Sequence, residues 1–400
     1  MTPMRPLKIQ AMLPFVLYFS SLLIRWTAVF AISPVLPIYV RDLGFSIADL
    51  GIIAASTGVA LMIFEPLWGL LTDRVGAKKI LLLSTLVAAF ITFSYTFVRD
   101  FSGFILLRFL TGVFGSAAGV SSRTLALKVV SRGERAFGVW HTIFAAAGVT
   151  GPLIGGYLAT TSYDLVFYTS TAISLVAFFI SFGIPESTNS HPLGKEFALK
   201  NMSKAERKIL LITSALIIMP VFLKSVYTTF MPVFAKESPK FLLSPFEIGL
   251  AFTAIGVVGF LVPLLFSELS NKTGTMIVIT FGMLLLASSL LLMPVITGLP
   301  LLYLASIILG IGEAAVSPLM MAFLTGKIHL SKRGLAIGIY GAGEDIGILL
   351  GPIIGGYVYQ SYGAESSFYL TAILMLINTV ISIPLLKKAQ HKLKIKQFSS

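Results

Sequence analysis

Cysteine is absent from the 400 residues, which excludes disulfides, thiol catalysis and cysteine metal sites. Charge is scarce as well: Asp, Glu, Lys and Arg make up 12% of the chain, about half of what an ordinary soluble domain carries. Acidic residues are the rarer sign, 17 against 30 basic, and the formal net charge is +13. No glycine loop ending in Lys-Ser/Thr, no His-Glu-x-x-His and no Ser/His/Asp set in a recognisable context occurs, so an enzyme reading has no motif to stand on. What remains is apolar: 56% hydrophobic residues and a mean hydropathy of +0.91. Such a composition describes a polytopic membrane protein.

Apolar runs of about 20 residues, the length a helix needs to cross a ~30 Å hydrocarbon core, recur along the chain. Twelve spans are predicted, at 12–40, 47–72, 78–98, 101–127, 135–160, 163–184, 208–235, 245–268, 275–297, 299–326, 333–360 and 364–386. With both ends placed in the cytoplasm, 22 Lys and Arg fall in tails and cytoplasmic loops, 4 in outer loops (Arg41, Arg99, Lys236, Lys240) and 4 within spans. This positive-inside asymmetry explains the net charge without a nucleic-acid partner. It predicts an integral protein of the plasma (inner) membrane with cytoplasmic termini. Arg5 and Lys8 precede a first span too long for a signal-peptide core and without a small-residue cleavage site, so that span is expected to be retained. Asn201 and Asn271 stand in N-x-S/T matches within cytoplasmic loops, where they are expected to be chance.

Self-comparison finds two halves about 200 residues apart. "SIADLG" (46–51) aligns with "SPFEIG" (244–249), each a Ser-x-x-acid capping box. "DRVG" (73–76) aligns with "NKTG" (271–274), and "GPLIGGY" (151–157) with "GPIIGGY" (351–357). Between the halves "PESTNSHPLG" is turn-rich, and Ser203 with Glu206 is predicted to cap the helix leading into span 7. The expected organisation is an all-α protein of twelve transmembrane helices in two pseudo-symmetric six-helix bundles. Residues 1–184 form the first bundle, 185–207 a cytoplasmic linker, 208–386 the second bundle and 387–400 a basic cytoplasmic tail. Parallel repeats of this kind are the plan of a two-bundle transporter with its substrate path between the halves.

On these residues the chain resembles the major facilitator superfamily over essentially its full length, most similar in its motifs to the drug:proton antiporter families. "GLLTDRVGAKK" (69–79) resembles the superfamily's loop motif after span 2, a cytoplasmic latch matched here by Gly69, Asp73, Arg74, Gly76 and Lys78, with Ala77 in place of a basic residue. "RFLTG" (108–112) resembles the span 4 motif, whose Arg the resemblance links to proton coupling. The span 5 antiporter motif is resembled at Gly138, Gly151, Pro152, Gly155 and Gly156, with Ala147 in place of a glycine. Span 11 repeats it at Gly338, Gly347, Gly351, Pro352, Gly355 and Gly356. Physically, glycines at such intervals let helix backbones approach closely, either as a tight seam or as a hinge. For Asp73 the readings are a solvated loop charge, or a latch paired with a cation or a helix N-terminus.

Seven ionisable residues lie well inside the spans: Arg25, Glu65, Arg108, Lys224, Glu313, Glu344 and Asp345. At ~2.5–3.5 kcal/mol each, lipid exposure of all seven would cost roughly 20 kcal/mol, more than the ~5–15 kcal/mol of a usual folded state. They must pair, lose charge or face a wet cavity. Helical spacing groups Glu313 with Ser306, Gly310 and Ser317, Lys224 with Tyr227, Thr228 and Met231, Arg108 with Thr111, Gly112 and Gly115, and Arg25 with Tyr18 and Ser21. Spans 1, 4, 7 and 10 are expected to surround a central cavity, each contributing one of these four ionisable residues. In span 11, Ile339, Ile346, Leu350, Ile353 and Tyr357 form a lipid face, from which Glu344 points ~150° away and Asp345 ~110° away on the other side. Glu344 is expected within a Gly341/Gly347/Gly351/Gly355 seam and Asp345 beside Gly338, Gly341 and Pro352; which of them faces the cavity stays open.

The expected function is secondary active transport by alternating access: proton-coupled export of small organic or drug-like molecules. Arg25, Arg108, Lys224, Glu313, Glu344 and Asp345 are the candidate substrate or coupling residues, with Glu65 and His141 as weaker ones. The alternative is a facilitator or proton symporter for a sugar, organic acid or other metabolite; an intramembrane enzyme or lipid-remodelling protein is the alternative of another class. Catalytic residues, cofactors and metals are not expected. The partners are a small-molecule substrate, protons and the bilayer around a monomer.

Overall fold

The computed structural model describes residues 7–129, 133–185, 202–329 and 332–397. Among them every regular element is a helix: α1 (Leu7–Ile32), α2 (Val35–Asp42), α3 (Ile47–Val75), α4 (Ala77–Ser94), α5 (Phe101–Val129), α6 (Gly133–Ala159) and α7 (Tyr163–Phe182) in the first half. The second half holds α8 (Lys204–Glu237), α9 (Pro245–Leu261), α10 (Pro263–Thr273), α11 (Thr275–Leu292), α12 (Leu299–Thr325), α13 (Arg333–Tyr362) and α14 (Ala364–Gln397). Eleven stretches are long and apolar enough to cross a bilayer, and the bent pair α9 and α10 brings the number to twelve. All twelve predicted spans are therefore present. Arg5 and Asn201 lie outside the described residues.

Local chemistry accounts for where the helices begin and break. Ser46, Ser203 and Ser244 each form the predicted capping box, exchanging backbone-to-side-chain bonds with Asp49, Glu206 and Glu247. The Ser203 cap starts α8 at Lys204, four positions before the expected start of span 7, so the helix takes up the end of the linker. Residues 186–201 of that linker lie outside the described residues. Two spans expected to be continuous are divided at proline, which lacks the N–H that a helix interior requires. The first breaks before α2 at Ser33 and Pro34, and the eighth bends by 49° where Pro263 opens α10. The aligned glycines of "DRVG" and "NKTG" have one backbone role: Gly76 (φ 102°) and Gly274 (φ 100°) turn the chain between consecutive helices in a conformation side chains rarely adopt.

The halves repeat one packing pattern. In the first, α1 lies on α6 and α7, α3 on α5, and α4 on α5 and α7; in the second, α8 lies on α13 and α14, α9 on α12, and α11 on α12 and α14. The halves then exchange partners, α6 against α9 and α3 against α13. At these two crossings backbone meets backbone. A methyl group built on Gly249 would lie 2.6 Å from the Pro152 carbonyl oxygen and 3.0 Å from Gly156 Cα. One on Gly51 would strike the Pro352 carbonyl and lie 3.4 Å from Gly356 Cα. The last residue of each capping-box motif thus sits on the GPxxGG motif of the opposite half.

Both crossings lie towards the face opposite the chain termini, since α3 and α9 start there. The ion pairs that join the halves among the described residues lie at the same face: Arg41 Nε to Glu237 Oε1 at 2.9 Å and Lys236 Nζ to Asp42 Oδ2 at 2.5 Å. The Tyr163 hydroxyl also donates to Asp42, and the Ile47 amide donates to Gln360 Oε1 at 3.0 Å. Partly exposed pairs of this kind contribute ~0–1 kcal/mol each, so the close backbone packing is the stronger constraint.

Replacing Gly249 by Leu should part the halves at this face. With cysteines introduced at Asp42 and Lys236, the only two in the chain, thiol-specific cross-linking is expected to fall several-fold in Gly249→Leu relative to the glycine parent. Equal cross-linking would show that this crossing does not hold the face closed.

Candidate functional site

The six main candidate residues fall into three groups rather than around one cavity. In the second half, Lys224 of α8 forms an ion pair with Glu313 of α12. The Tyr227 and Ser306 hydroxyls hydrogen-bond at 2.7 Å between the same helices, so the stripes predicted from spacing do face each other. The Lys224 and Glu313 side chains remain 40% and 27% exposed. The pair is therefore only partly buried among the helices.

The second group gathers on α13. Gly343, Gly347, Gly351 and Gly355 press against α8, at Ser214, Phe222, Ser225 and Val226. Gly338 and Gly341, expected in the seam, have open space instead, and Gly343 replaces them at the proper helical interval. Leu349, Pro352 and Gly356 turn to α3 through Gly58 and Gly51. Asp345, one turn from Leu349 and 6% exposed, lies on this α3-facing side, within electrostatic reach of Glu65 and Arg123. Glu344 points between the two packed faces and is in reach of Arg123, Glu65, Lys224 and Glu313. Asp345 therefore lies on the side of α13 that meets the other half, and Glu344 stands within reach of both the Lys224–Glu313 and the Glu65–Arg123 pairs. Of the expected lipid face, Leu350, Ile353 and Tyr357 are exposed, whereas Ile346 is partly buried and Ile339 packs against the hydrophobic core.

Glu65 pairs with Arg123 of α5 at 3.1 Å, and the Arg123 guanidinium stands over the Trp140 ring at 5.1 Å. The Trp140 indole N–H in turn donates to Ser122 Oγ at 2.9 Å. Sequence reasoning passed over Arg123. A signal existed: fifteen residues after Arg108 on the same helix, it points within ~60° of the same direction.

The third group is Arg25 of α1 and Arg108 of α5. Neither has an ion-pair partner among the described residues. Both line a cavity of about 220 Å³ walled by α1, α3, α4, α5 and α8, with Tyr95, Thr111 and Thr228 among its polar groups. Lys224 and Glu313 do not line it, so this cavity takes two of the four expected residues, the cations Arg25 and Arg108, and leaves the ion pair outside.

Other candidates take supporting places. Asp73 and Arg74 lie in the last turn of α3 rather than in a loop, and are exposed, without an ion pair among the described residues. Gly69 has open space, while Lys78 donates to the Phe182 carbonyl at 2.7 Å. His141 is exposed and meets Trp140 edge-on. Gly151 and Gly155 of the span 5 motif press on α1 at Thr27 and Ala31, and Gly156 on α9. Ala147 is buried, and the close approach to α9 is made one residue later, by Gly148 against Gly256. The packing around Gly138 lies outside the described residues.

Residues 15–242 and 222–399 each match the family model described as Major Facilitator Superfamily. Quinolone resistance protein NorA of Staphylococcus aureus (strain Mu50 / ATCC 700699) is 25% identical over 389 residues, covering 96% of this chain and 98% of that protein. Multidrug resistance protein MdtG of Proteus mirabilis (strain HI4320) is 28% identical over 377 residues, covering 90% and 92%. Among solved structures, nucleoside transporter NupG superposes with a TM-score of 0.74 at 17% identity, over 94% of this chain and 99% of that one. A bacterial homolog of the human lysosomal transporter Spinster gives 0.77 at 13%, over 97% and 99%. At these identities the superpositions speak for the fold.

Glu313→Gln leaves the Lys224 ammonium unpaired, and an expected loss of roughly 1–2 kcal/mol lies between exposed and buried pairs. Thermal unfolding in detergent should rank Glu313→Gln below both the parent and the double variant Lys224→Gln/Glu313→Gln. A double variant no more stable than the single one would show that the unpaired charge is not what destabilises.

Proposed function

The chain belongs to the Major Facilitator Superfamily, and from that premise we propose that it exports small organic, drug-like molecules in exchange for protons. The observation that carries this reading is the placement of the carboxylates. Glu313 sits in a partly exposed pair with Lys224, Glu344 stands within reach of that pair and of the Glu65–Arg123 pair, and Asp345 lies on the side of α13 that meets the other half. A carboxylate that passes between a dry and a wet surrounding changes its hold on a proton. Rocking of the halves moves these groups between such surroundings, and a protonated Glu313 releases Lys224. NorA and MdtG, named for quinolone resistance and multidrug resistance, support the substrate class.

The same reading orients the molecule. The crowding of Lys and Arg at the terminal face supports a cytoplasmic position for that face and for both termini. The glycine crossings and the two joining ion pairs then form an outer seal, and the conformation is open towards the cytoplasm. In this conformation the Asp73 latch is released; in the opposite one it engages while the outer pairs part. The working units are residues 1–184 and 208–386, joined by the linker, in a monomer at the plasma membrane. Glu65 and Arg123 couple α3 to α5 beside the moving carboxylates. The protein carries out no covalent chemistry.

Glu313→Gln, Glu344→Gln and Asp345→Asn, each reconstituted in proteoliposomes, test the coupling. Uptake of a quinolone driven by an imposed pH gradient is expected to fall to near background in at least one variant, while gradient-free equilibration continues. Undiminished gradient-driven uptake in all three would sink the proton-coupling assignment.

A further inference from the structure

The Arg25 compartment is a site for which the export mechanism above supplies no role. Arg25 is 2% exposed, its Nε and Nη1 are buried without a hydrogen-bond partner, and no carboxylate lines the cavity it faces. Trp26, in the same wall, also has its indole N–H buried without an acceptor. Arg108 adds a second positive charge to the lining. The surplus is therefore of donors and positive charge alone, and the complement to that is an acceptor-only, negatively charged group.

The geometry points to a subsite where Arg25 binds the anionic group, a carboxylate or its equivalent, of an amphipathic organic substrate. Its guanidinium stands over the Trp26 ring at 4.8 Å, a cation–π contact that orients the planar fork without using its donors. Such a fork matches a carboxylate with two parallel hydrogen bonds, which a lysine ammonium does not offer. The rest of the lining, with Phe30 and Phe114, is largely apolar and suits an aromatic or aliphatic body. A volume of about 220 Å³ falls below the ~300–1,000 Å³ of drug-sized pockets, so the compartment holds an anionic head with one or two rings. Thr228 and Thr229 of α8 close it from the other half. A bound anion touches both halves and is placed to sense their relative position.

This inference rests on the transport reading in treating the compartment as part of the substrate path, and it is tested without a gradient. Binding of 2-naphthoate, its neutral analogue 2-naphthamide and inorganic sulfate to the full-length protein in detergent is measured by thermal shift and calorimetry. Naphthoate is expected to bind roughly tenfold or more tightly than naphthamide, the value of one charge-assisted hydrogen bond. Arg25→Gln should abolish that preference, and Arg25→Lys should keep part of it. Equal affinity for the two naphthyl probes in the unaltered protein overturns the proposal whether or not any variant folds. An undiminished preference in Arg25→Gln does the same, as does stabilisation by sulfate equal to that by naphthoate. A naphthoate preference without gradient-driven uptake overturns the export reading and leaves the subsite standing; uptake without the preference does the reverse.

Discussion

Two backbone crossings hold the halves of this molecule together, and the interior is arranged around them. Where Gly249 meets Pro152 and Gly156, and Gly51 meets Pro352 and Gly356, there is no room for a side chain. In a bilayer, apolar side chains give helices little reason to prefer each other over lipid, so association rests on close packing and on polar contacts. Glycine provides the first. Because the crossings lie towards one face, α3 and α13 can carry Glu65 and Asp345 past each other deeper in the membrane without sealing them together. The outer ion pairs follow from the same approach, since Arg41 and Asp42 are brought to Glu237 and Lys236 only when the halves close.

The buried charges obey a simple economy of sign and water. Lys224 and Glu313 neutralise each other in a partly exposed pair, and Glu65 neutralises Arg123 beside the Trp140 ring. Glu344 and Asp345 are left between these pairs, and Arg25 and Arg108 in a compartment without any carboxylate. An arrangement built for stability alone would bring the spare carboxylates to the spare arginines. Their separation leaves each set without an ion-pair partner among the described residues.

The fold was legible because hydropathy, capping boxes and the repeat are local signals. Ser46, Ser203 and Ser244 needed only their own next three residues to be recognised as helix starts. The Lys224 and Glu313 stripes were legible for the same reason, since spacing sets direction on a helix. What spacing cannot supply is the partner. The seam on α13 runs from Gly343 rather than Gly341 because α8 approaches from one side and α3 from another, and the α13 sequence does not contain their positions. Arg123 was passed over because it lies near a span end, where a cation usually reaches water. Asp73 matched a motif by sequence, and its side chain is exposed at the end of α3.

One break in the symmetry remains. In the alignment that pairs Gly51 with Gly249, Glu65 corresponds to Pro263. The first half uses that position to tie α3 to α5 by a charge, and α3 stays one helix of 29 residues; the second half uses it to bend the span by 49°. The two sides of the passage therefore differ as a door frame differs from a door. One jamb is a continuous post braced from behind, and the other carries a joint partway down its length.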